Sequence, residues 1–180
     1  MDYVIEGEGP YTLEVLLLGG LANPATVPGL WWWGDRGRVV RNAPAPLVKD
    51  LNGEMRRVAW EKLPPLTTYR THNWHALGYG EASPFAALYT TLNCPFSCSF
   101  CMISSPFGGP GYQKWSPALI GHEIQRLIES QGGTTLHLKI VDEMFWLDER
   151  HVEALCDELD QERGLGDSLN IWAYARVDSI

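Results

Sequence analysis

Three of the four cysteines in this 180-residue chain lie on one short segment, where they are placed to do chemistry together. They are Cys94, Cys98 and Cys101, in the stretch "NCPFSCSFC". Thiolate is a soft ligand that selects zinc, copper(I) or iron–sulfur clusters. In a cytosolic chain, clustered cysteines are more often metal ligands or redox groups than structural disulfides. The segment therefore predicts metal or redox chemistry.

Four kinds of thiolate site match parts of this spacing. Structural zinc needs four ligands and normally draws two from each of two knuckles, whereas one loop supplies three here. A ferredoxin-like carrier needs four cysteines per cubane cluster. A dithiol oxidoreductase would use Cys98 and Cys101 and leave Cys94 without a role. The remaining alternative is a 4Fe–4S cluster held by three thiolates, whose open iron binds a substrate or cofactor directly.

The fourth cysteine, Cys156, belongs to a different pattern. It shares one stripe of a predicted helix with Val152, Leu155 and Leu159. Free cysteine is common on such buried apolar stripes. We therefore expect Cys156 to be buried and not to be a metal ligand.

Strands and helices alternate around the cysteine loop. The stretch "AALYTTL" predicts a strand before the loop, and "TLHLKIVD" and "LNIWAYARVD" predict two more. Ser116–Pro117 and Asp148 begin the two intervening helices, and Gly132–Gly133 end the first of them. This order predicts parallel strands joined by right-handed crossovers, with the helices covering one face.

Polar residues follow the carboxyl ends of these strands, where α/β folds bind ligands. The cysteine loop follows the first strand, Asp142 and Glu143 follow the second, and Arg176 follows the third. This convergence indicates that the cysteines are functional.

The third strand alternates between two sets of side chains. Leu169, Ile171, Ala173 and Ala175 fit under the helices. The alternate positions must face another space, as in an open barrel with a working interior. With two residues of the second strand, that set comprises His137, Lys139, Asn170, Trp172, Tyr174 and Arg176.

The first 85 residues predict smaller elements. "DYVI" predicts a strand, and Pro10 begins a helix with Leu13, Leu16 and Leu17 on one face. "LWWWGDRGRVVRN" predicts a hairpin with "GDRG" as its turn. Residues 43–85 are rich in proline and predict a linker.

Net charge and hydropathy limit the kinds of partner and cellular location that we expect for this chain. The net charge of −8 gives no support for nonspecific nucleic-acid binding. The acidic N-terminus lacks the basic region of a secretory signal, and no apolar run has the length of a membrane helix. We expect a cytoplasmic protein without membrane or nucleic-acid partners.

The spacing Cys-x3-Cys-x2-Cys, with Phe100 before the last cysteine, resembles the radical S-adenosylmethionine enzymes. The resemblance implies that Cys94, Cys98 and Cys101 hold a 4Fe–4S cluster and that Phe100 lies near the adenine of S-adenosylmethionine. It also implies that residues after the second strand bind the methionyl amine and that a residue after the third meets its carboxylate. The candidates for the amine are Asp142 and Glu143. The candidate for the carboxylate is Arg176, for which an ion pair with Asp178 is the alternative.

The whole chain resembles the subgroup in which a cobalamin-binding domain precedes the radical domain. The resemblance implies an α/β fold: the first half of a partial TIM-type (β/α)6 barrel, preceded by the last strand and helix of a Rossmann-like domain. We expect that remnant over residues 1–29, a hairpin and linker over 30–85, and the barrel half over 86–180. We expect the chain to be an internal fragment that is inactive in isolation. "NWHALG", with Asn73 and His75, imitates the family's cobalamin-ligand motif by coincidence.

The resemblance also implies a reaction class. In that family the reduced cluster cleaves S-adenosylmethionine to a 5′-deoxyadenosyl radical, which abstracts hydrogen from an organic substrate. The substrate is a small molecule or peptide, the electron donor a flavodoxin or ferredoxin, and the outcome a cobalamin-dependent methylation or ring formation. Lys139, Trp172 and Tyr174 would line the substrate space. A non-enzymatic iron–sulfur electron-transfer or zinc-binding module is the alternative.

Overall fold

The chain folds into two compact units, each of which draws on two stretches of sequence. The computed structural model describes residues 2–69, 85–133 and 135–179. The first unit comprises Met1–Asp50 and Pro95–Gly111, and the second comprises Leu51–Cys94 and Tyr112–Ile180. The motif residues Asn73 and His75 lie outside the described residues. Among the residues described, no helix is both long and apolar enough to cross a membrane.

The first unit is built on an antiparallel sheet of three strands. Strands β1 (Tyr3–Ile5), β2 (Leu30–Trp33) and β3 (Val39–Arg41) pair in that order. The predicted hairpin is confirmed: β2 and β3 are joined through a turn in which Arg36 and Gly37 have positive φ angles of 60° and 67°.

Strand β1 is joined to the hairpin by backbone pairing. It runs antiparallel to β2, with Ile5 opposite Leu30. Both side chains belong to one small core with Leu16 and Val27, so burial of that core also joins β1 to the hairpin. The domain bounds expected from the sequence, at residues 29 and 85, stay a prediction.

Helix α1 (Pro10–Leu17) begins at the predicted proline, but of the predicted face it buries Leu16 alone. Its buried residues are Thr12 and Leu16. Leu13 and Leu17, expected to share the buried face, are 46% and 69% exposed. The helix is apolar on several sides, so its periodicity does not select a face. Close packing does, because a Cβ at Gly29 would lie 2.6 Å from the Thr12 hydroxyl oxygen.

The second unit contains a parallel sheet of three strands. Strand β4 (Phe85–Leu88) pairs with β7 (Leu136–Ile140), and β7 pairs with β8 (Leu169–Trp172), both in parallel. The predicted parallel order is confirmed. A short antiparallel pair, β5 (Thr91–Leu92) and β6 (Gln113–Lys114), brackets the cysteine loop and was not expected from sequence.

Helices α3 (Pro117–Ser130) and α4 (Glu149–Asp157) connect the parallel strands, while α2 (Leu51–Glu54) is a single turn. Both predicted caps are confirmed: Ser116 accepts a hydrogen bond from the Leu119 amide and Asp148 accepts one from the His151 amide. The helices cover one face of the sheet. The core between them contains Ile124, Leu127, Leu138, Ile140 and Leu155, among others.

Two expectations for this unit were wrong. Cys156 is exposed, because the buried stripe of α4 runs through His151, Val152 and Leu155 and the chain then continues as a π-helical turn. The third strand ends at Trp172, and Ile171 is 42% exposed. Strand β8 lies at the edge of the sheet, where its helix-side residues have fewer neighbours.

Candidate functional site

The cysteine loop leaves the sheet through a tightly bonded base. Asn93 adopts a left-handed conformation with φ of 69°, and its side-chain oxygen accepts a hydrogen bond of 2.7 Å from the Cys94 amide. Asparagine is one of the few residues other than glycine that adopts this conformation readily. Cys94 is buried beside it. Asn93 was missed in the sequence analysis, although asparagine just before a cysteine–proline pair is a turn signal.

Cys98 and Cys101 share a turn and a pocket. The Cys101 amide donates a hydrogen bond of 3.0 Å to the Cys98 carbonyl. Both cysteines line a pocket of about 500 Å³ whose other walls come from the loop between Phe96 and Pro110. Each of these cysteines is a free thiol. The spacing thus places two thiols on the same concave surface.

The three predicted ligands do not already form a metal site. Among the described histidine, cysteine, aspartate and glutamate side chains, no three are arranged to hold a metal ion. The donor set itself fits an iron–sulfur cluster, because three free thiols on one loop are the soft ligands that such a cluster takes.

Asp142 anchors the chain that leads into the loop. It is fully buried, and its carboxylate accepts hydrogen bonds from the Thr90 amide, at 2.7 Å, and from the Thr90 hydroxyl. The Val141 amide donates to the Leu88 carbonyl at 3.0 Å in the same place. Both oxygens of Asp142 are therefore engaged in holding the end of β4 against the end of β7.

Glu143 is the more available of the two candidate carboxylates. Its Oε2 atom is buried and has no hydrogen-bond partner in the described part of the chain. Burial, together with the charge of Asp142, raises the pKa of Glu143. Burial and the same two carboxylates also raise the pKa of Tyr89, which lies beside them. An ammonium group would relieve the unfavourable burial of Glu143.

Arg176 and Phe100 lie in exposed surroundings. Arg176 forms a two-pronged ion pair with Asp178, with its Nε atom 2.8 Å from Oδ1. The structure thus contains the alternative partner considered for Arg176. Phe100 is 91% exposed on the loop. Its contact with adenine, like a role of Arg176 in binding a carboxylate, stays a prediction.

An ion pair missed by the sequence analysis supports the base of the loop. Lys114 of β6 pairs with Asp148, the residue that caps α4. This pair lowers the pKa of Asp148, chiefly through its hydrogen bond to Lys114. Tyr112, just before β6, is buried enough that its pKa rises to about 12. The return strand of the loop is therefore attached to the helix that follows β7.

The predicted interior set is partly assembled on one face of the sheet. The Lys139 ammonium lies 4.8 Å from the ring centre of Trp172 and 5.4 Å from that of Tyr174. The two rings meet edge to face with centres 4.5 Å apart. Lys139 alternates with the core residues Leu138 and Ile140, so this face lies opposite the helices.

Comparison with known proteins shows which solved structures share the fold of this chain. The sequence matches no protein-family model and no curated protein. Among solved structures, it is similar to the radical S-adenosylmethionine methyltransferase TsrM from Kitasatospora setae, solved with cobalamin and a [4Fe-4S] cluster bound. The identity is 21% and the TM-score 0.60, over 97% of this chain and 33% of that one. It is also similar to the cobalamin-dependent S-adenosylmethionine radical enzyme OxsB, solved with aqua-cobalamin and S-adenosylmethionine bound.

The match to OxsB has 18% identity and a TM-score of 0.62, over 99% of this chain and 23% of that one. The chain has the fold of a segment of cobalamin-dependent radical S-adenosylmethionine enzymes. It spans a third or less of each of these two chains. At these identities the likeness is one of fold, and it agrees with the mixed α/β architecture predicted from sequence.

Proposed function

We propose that this chain carries the cluster-binding and S-adenosylmethionine-binding part of a cobalamin-associated radical enzyme. One observation carries the proposal: a loop with three free thiols follows the carboxyl end of β4, the strand that pairs with β7, and Asp142 and Glu143 follow the carboxyl end of β7. Ligand sites of α/β folds lie at this end of the sheet. The fold shared with TsrM and OxsB supports the same conclusion.

The proposal gives each part of the site a task. Cys94, Cys98 and Cys101 hold the cluster, and Glu143 accepts a hydrogen bond from the methionyl amine. Asp142 holds Thr90 and with it the start of the loop. When bound, the cluster would supply the electron that cleaves S-adenosylmethionine and starts hydrogen abstraction from an organic substrate.

The architecture and partners extend the proposal. We propose that β4, β7 and β8 correspond to the first three strands of a partial (β/α)6 barrel. The proposal includes cobalamin because both similar structures come from cobalamin-associated enzymes. Cobalamin-dependent methylation and ring formation are the two outcomes considered, with a reduced flavodoxin or ferredoxin as electron donor.

Anaerobic reconstitution with iron and sulfide tests the cluster. We expect about four irons per chain, the content of one cubane cluster. Cys98→Ala removes one of three ligands and should abolish iron binding. Cys156→Ala is the matched control, because Cys156 is an exposed thiol away from the loop.

Two results would contradict the proposal. Binding of zinc without iron would favour the zinc-module alternative. Loss of iron from Cys156→Ala together with retention in Cys98→Ala would show that the wrong cysteines were assigned. Circular dichroism of both variants checks that each chain remains folded.

A further inference from the structure

Lys139 has an unusual environment for a cation. It is the fourth of the five residues of β7, and its ammonium group lies over the rings of Trp172 and Tyr174. Within residues 2–69, 85–133 and 135–179, no carboxylate lies within ion-pair distance of it. The chain's described residues thus hold this charge with aromatic faces and provide no counterion.

The aromatic residues form a fixed support, which we call the Lys139 platform and define as Lys139, Trp172 and Tyr174. Trp172 stands opposite Lys139 in the parallel register of β7 and β8. The Tyr174 carbonyl accepts a hydrogen bond of 3.1 Å from the Phe145 amide, which anchors the segment after β8. Attraction to two aromatic faces orients the ammonium group but leaves its N–H groups without anionic acceptors.

Space is available beside the platform. On β4, the residue in register with Lys139 is Ala87, which is exposed and has only a methyl side chain. Tyr174 is 45% exposed. A small molecule can therefore reach the ammonium from the face of the sheet opposite the helices. Glu143, the proposed ligand of the methionyl amine, follows the same strand.

We propose that the Lys139 platform binds the carboxylate or phosphate group of a small-molecule substrate. Lysine is a compact point charge that suits either oxyanion, and the aromatic rings add apolar surface for the remainder of the molecule. This inference rests on the proposed function in one respect, namely that the bound molecule is called a substrate. The anion site itself depends only on contacts of the folded chain, without iron.

Nuclear magnetic resonance of 13C-dimethylated lysines tests the site directly. The chain has four lysines, Lys49, Lys62, Lys114 and Lys139, and dimethylation preserves their charge. The Lys139 signal is assigned by its absence from Lys139→Arg. On titration of the iron-free full chain with sodium benzoate or inorganic phosphate, we expect a saturable shift of this signal at constant ionic strength. Lys114 is the internal control, because Asp148 already pairs with it.

Two variants of the platform sharpen the titration. Tyr174→Phe keeps the ring and should leave the dissociation constant unchanged. Tyr174→Ala removes one of the two rings that orient the ammonium, and we expect binding to weaken about threefold. Equal affinities in the two variants would contradict the platform as the binding element.

Other outcomes of the titration also test the proposed anion site. A Lys139 signal that does not shift, or that moves in proportion to all other lysines, would overturn the anion site. A saturable shift with S-adenosylmethionine that neither benzoate nor phosphate reproduces would assign the site to the cofactor instead of a substrate. Failure of this titration leaves the iron result standing, and failed iron loading leaves a saturable anion shift standing, so the two proposals fail separately.

Discussion

The base and the tip of the cysteine loop are built in opposite ways. The base, residues 90–94 and 112–114, contains the fully buried Thr90 and Thr91 and is closed by the β5–β6 pair. The tip, residues 95–111, exposes 91% of Phe100 and 77% of Met102. Hydrogen bonds within the protein hold the base, whereas these two side chains of the tip lie open to solvent. Changes in the hydrogen-bonded residues of the base should therefore affect stability, whereas changes in the exposed side chains of the tip should leave stability almost unchanged.

Asp142→Ala should have the largest effect on stability. It leaves the buried Thr90 amide without its acceptor and removes a partner of the Thr90 hydroxyl. We expect a loss of about 3 kcal/mol in the free energy of unfolding, measured by urea denaturation. Thr90→Ser keeps both bonds and serves as the control. An Asp142→Ala chain as stable as the unchanged one would contradict the preformed base.

Asn93→Ala should have the next largest effect. Alanine at a φ of 69° is strained, and the bond to the Cys94 amide is lost as well. We expect about 1–2 kcal/mol of destabilisation in the same denaturation assay. Asn93→Gly relieves the backbone strain while still lacking the side chain. If glycine were the more damaging substitution, the left-handed conformation would not be what asparagine supplies.

Glu143→Gln tests whether the raised pKa of Glu143, which follows β7, makes the stability of the chain depend on pH. Burial raises the pKa of Glu143, so its protonated form favours the folded state. Stability from this group is present at low pH and is lost as the pH rises through the folded-state pKa. We expect the urea midpoint of the unchanged chain to decline over that window and the Gln variant to lack this decline. Identical pH profiles for the two chains would show that burial of Glu143 has no energetic consequence.

Phe100→Ala should have the smallest effect on folding. The side chain is almost fully exposed at the tip, so we expect the free energy of unfolding to change by less than about 0.5 kcal/mol. Its proposed contact with adenine predicts weaker binding of S-adenosylmethionine to the iron-loaded chain. A substantial loss of stability would remove the distinction between base and tip.

Local signals in the sequence predicted many of the helices and strands. Ser116 and Asp148 begin helices because a capping side chain acts on amides only three residues away. The order of strands and helices predicted the parallel sheet for the same reason, since each element is encoded by its own stretch. The spacing of Cys94, Cys98 and Cys101 likewise predicted their shared loop.

What the sequence did not predict depends on contacts between distant residues. Exposure of Leu17 and Cys156 depends on which helix face a neighbour covers, and several faces of α1 are apolar. The bond between Asp142 and Thr90 joins two strand ends far apart in the chain. Both carboxylates at the end of β7 looked equivalent in the sequence, and only burial and hydrogen bonding distinguish Asp142 from Glu143.

Electron paramagnetic resonance of the reduced, iron-loaded chain tests the central claim most directly. If Cys94, Cys98 and Cys101 hold the cluster as proposed, one iron would be left for the amine and carboxylate of S-adenosylmethionine. We predict that the signal of the reduced cluster changes when S-adenosylmethionine is added. A cluster signal that is identical before and after the addition would contradict the account.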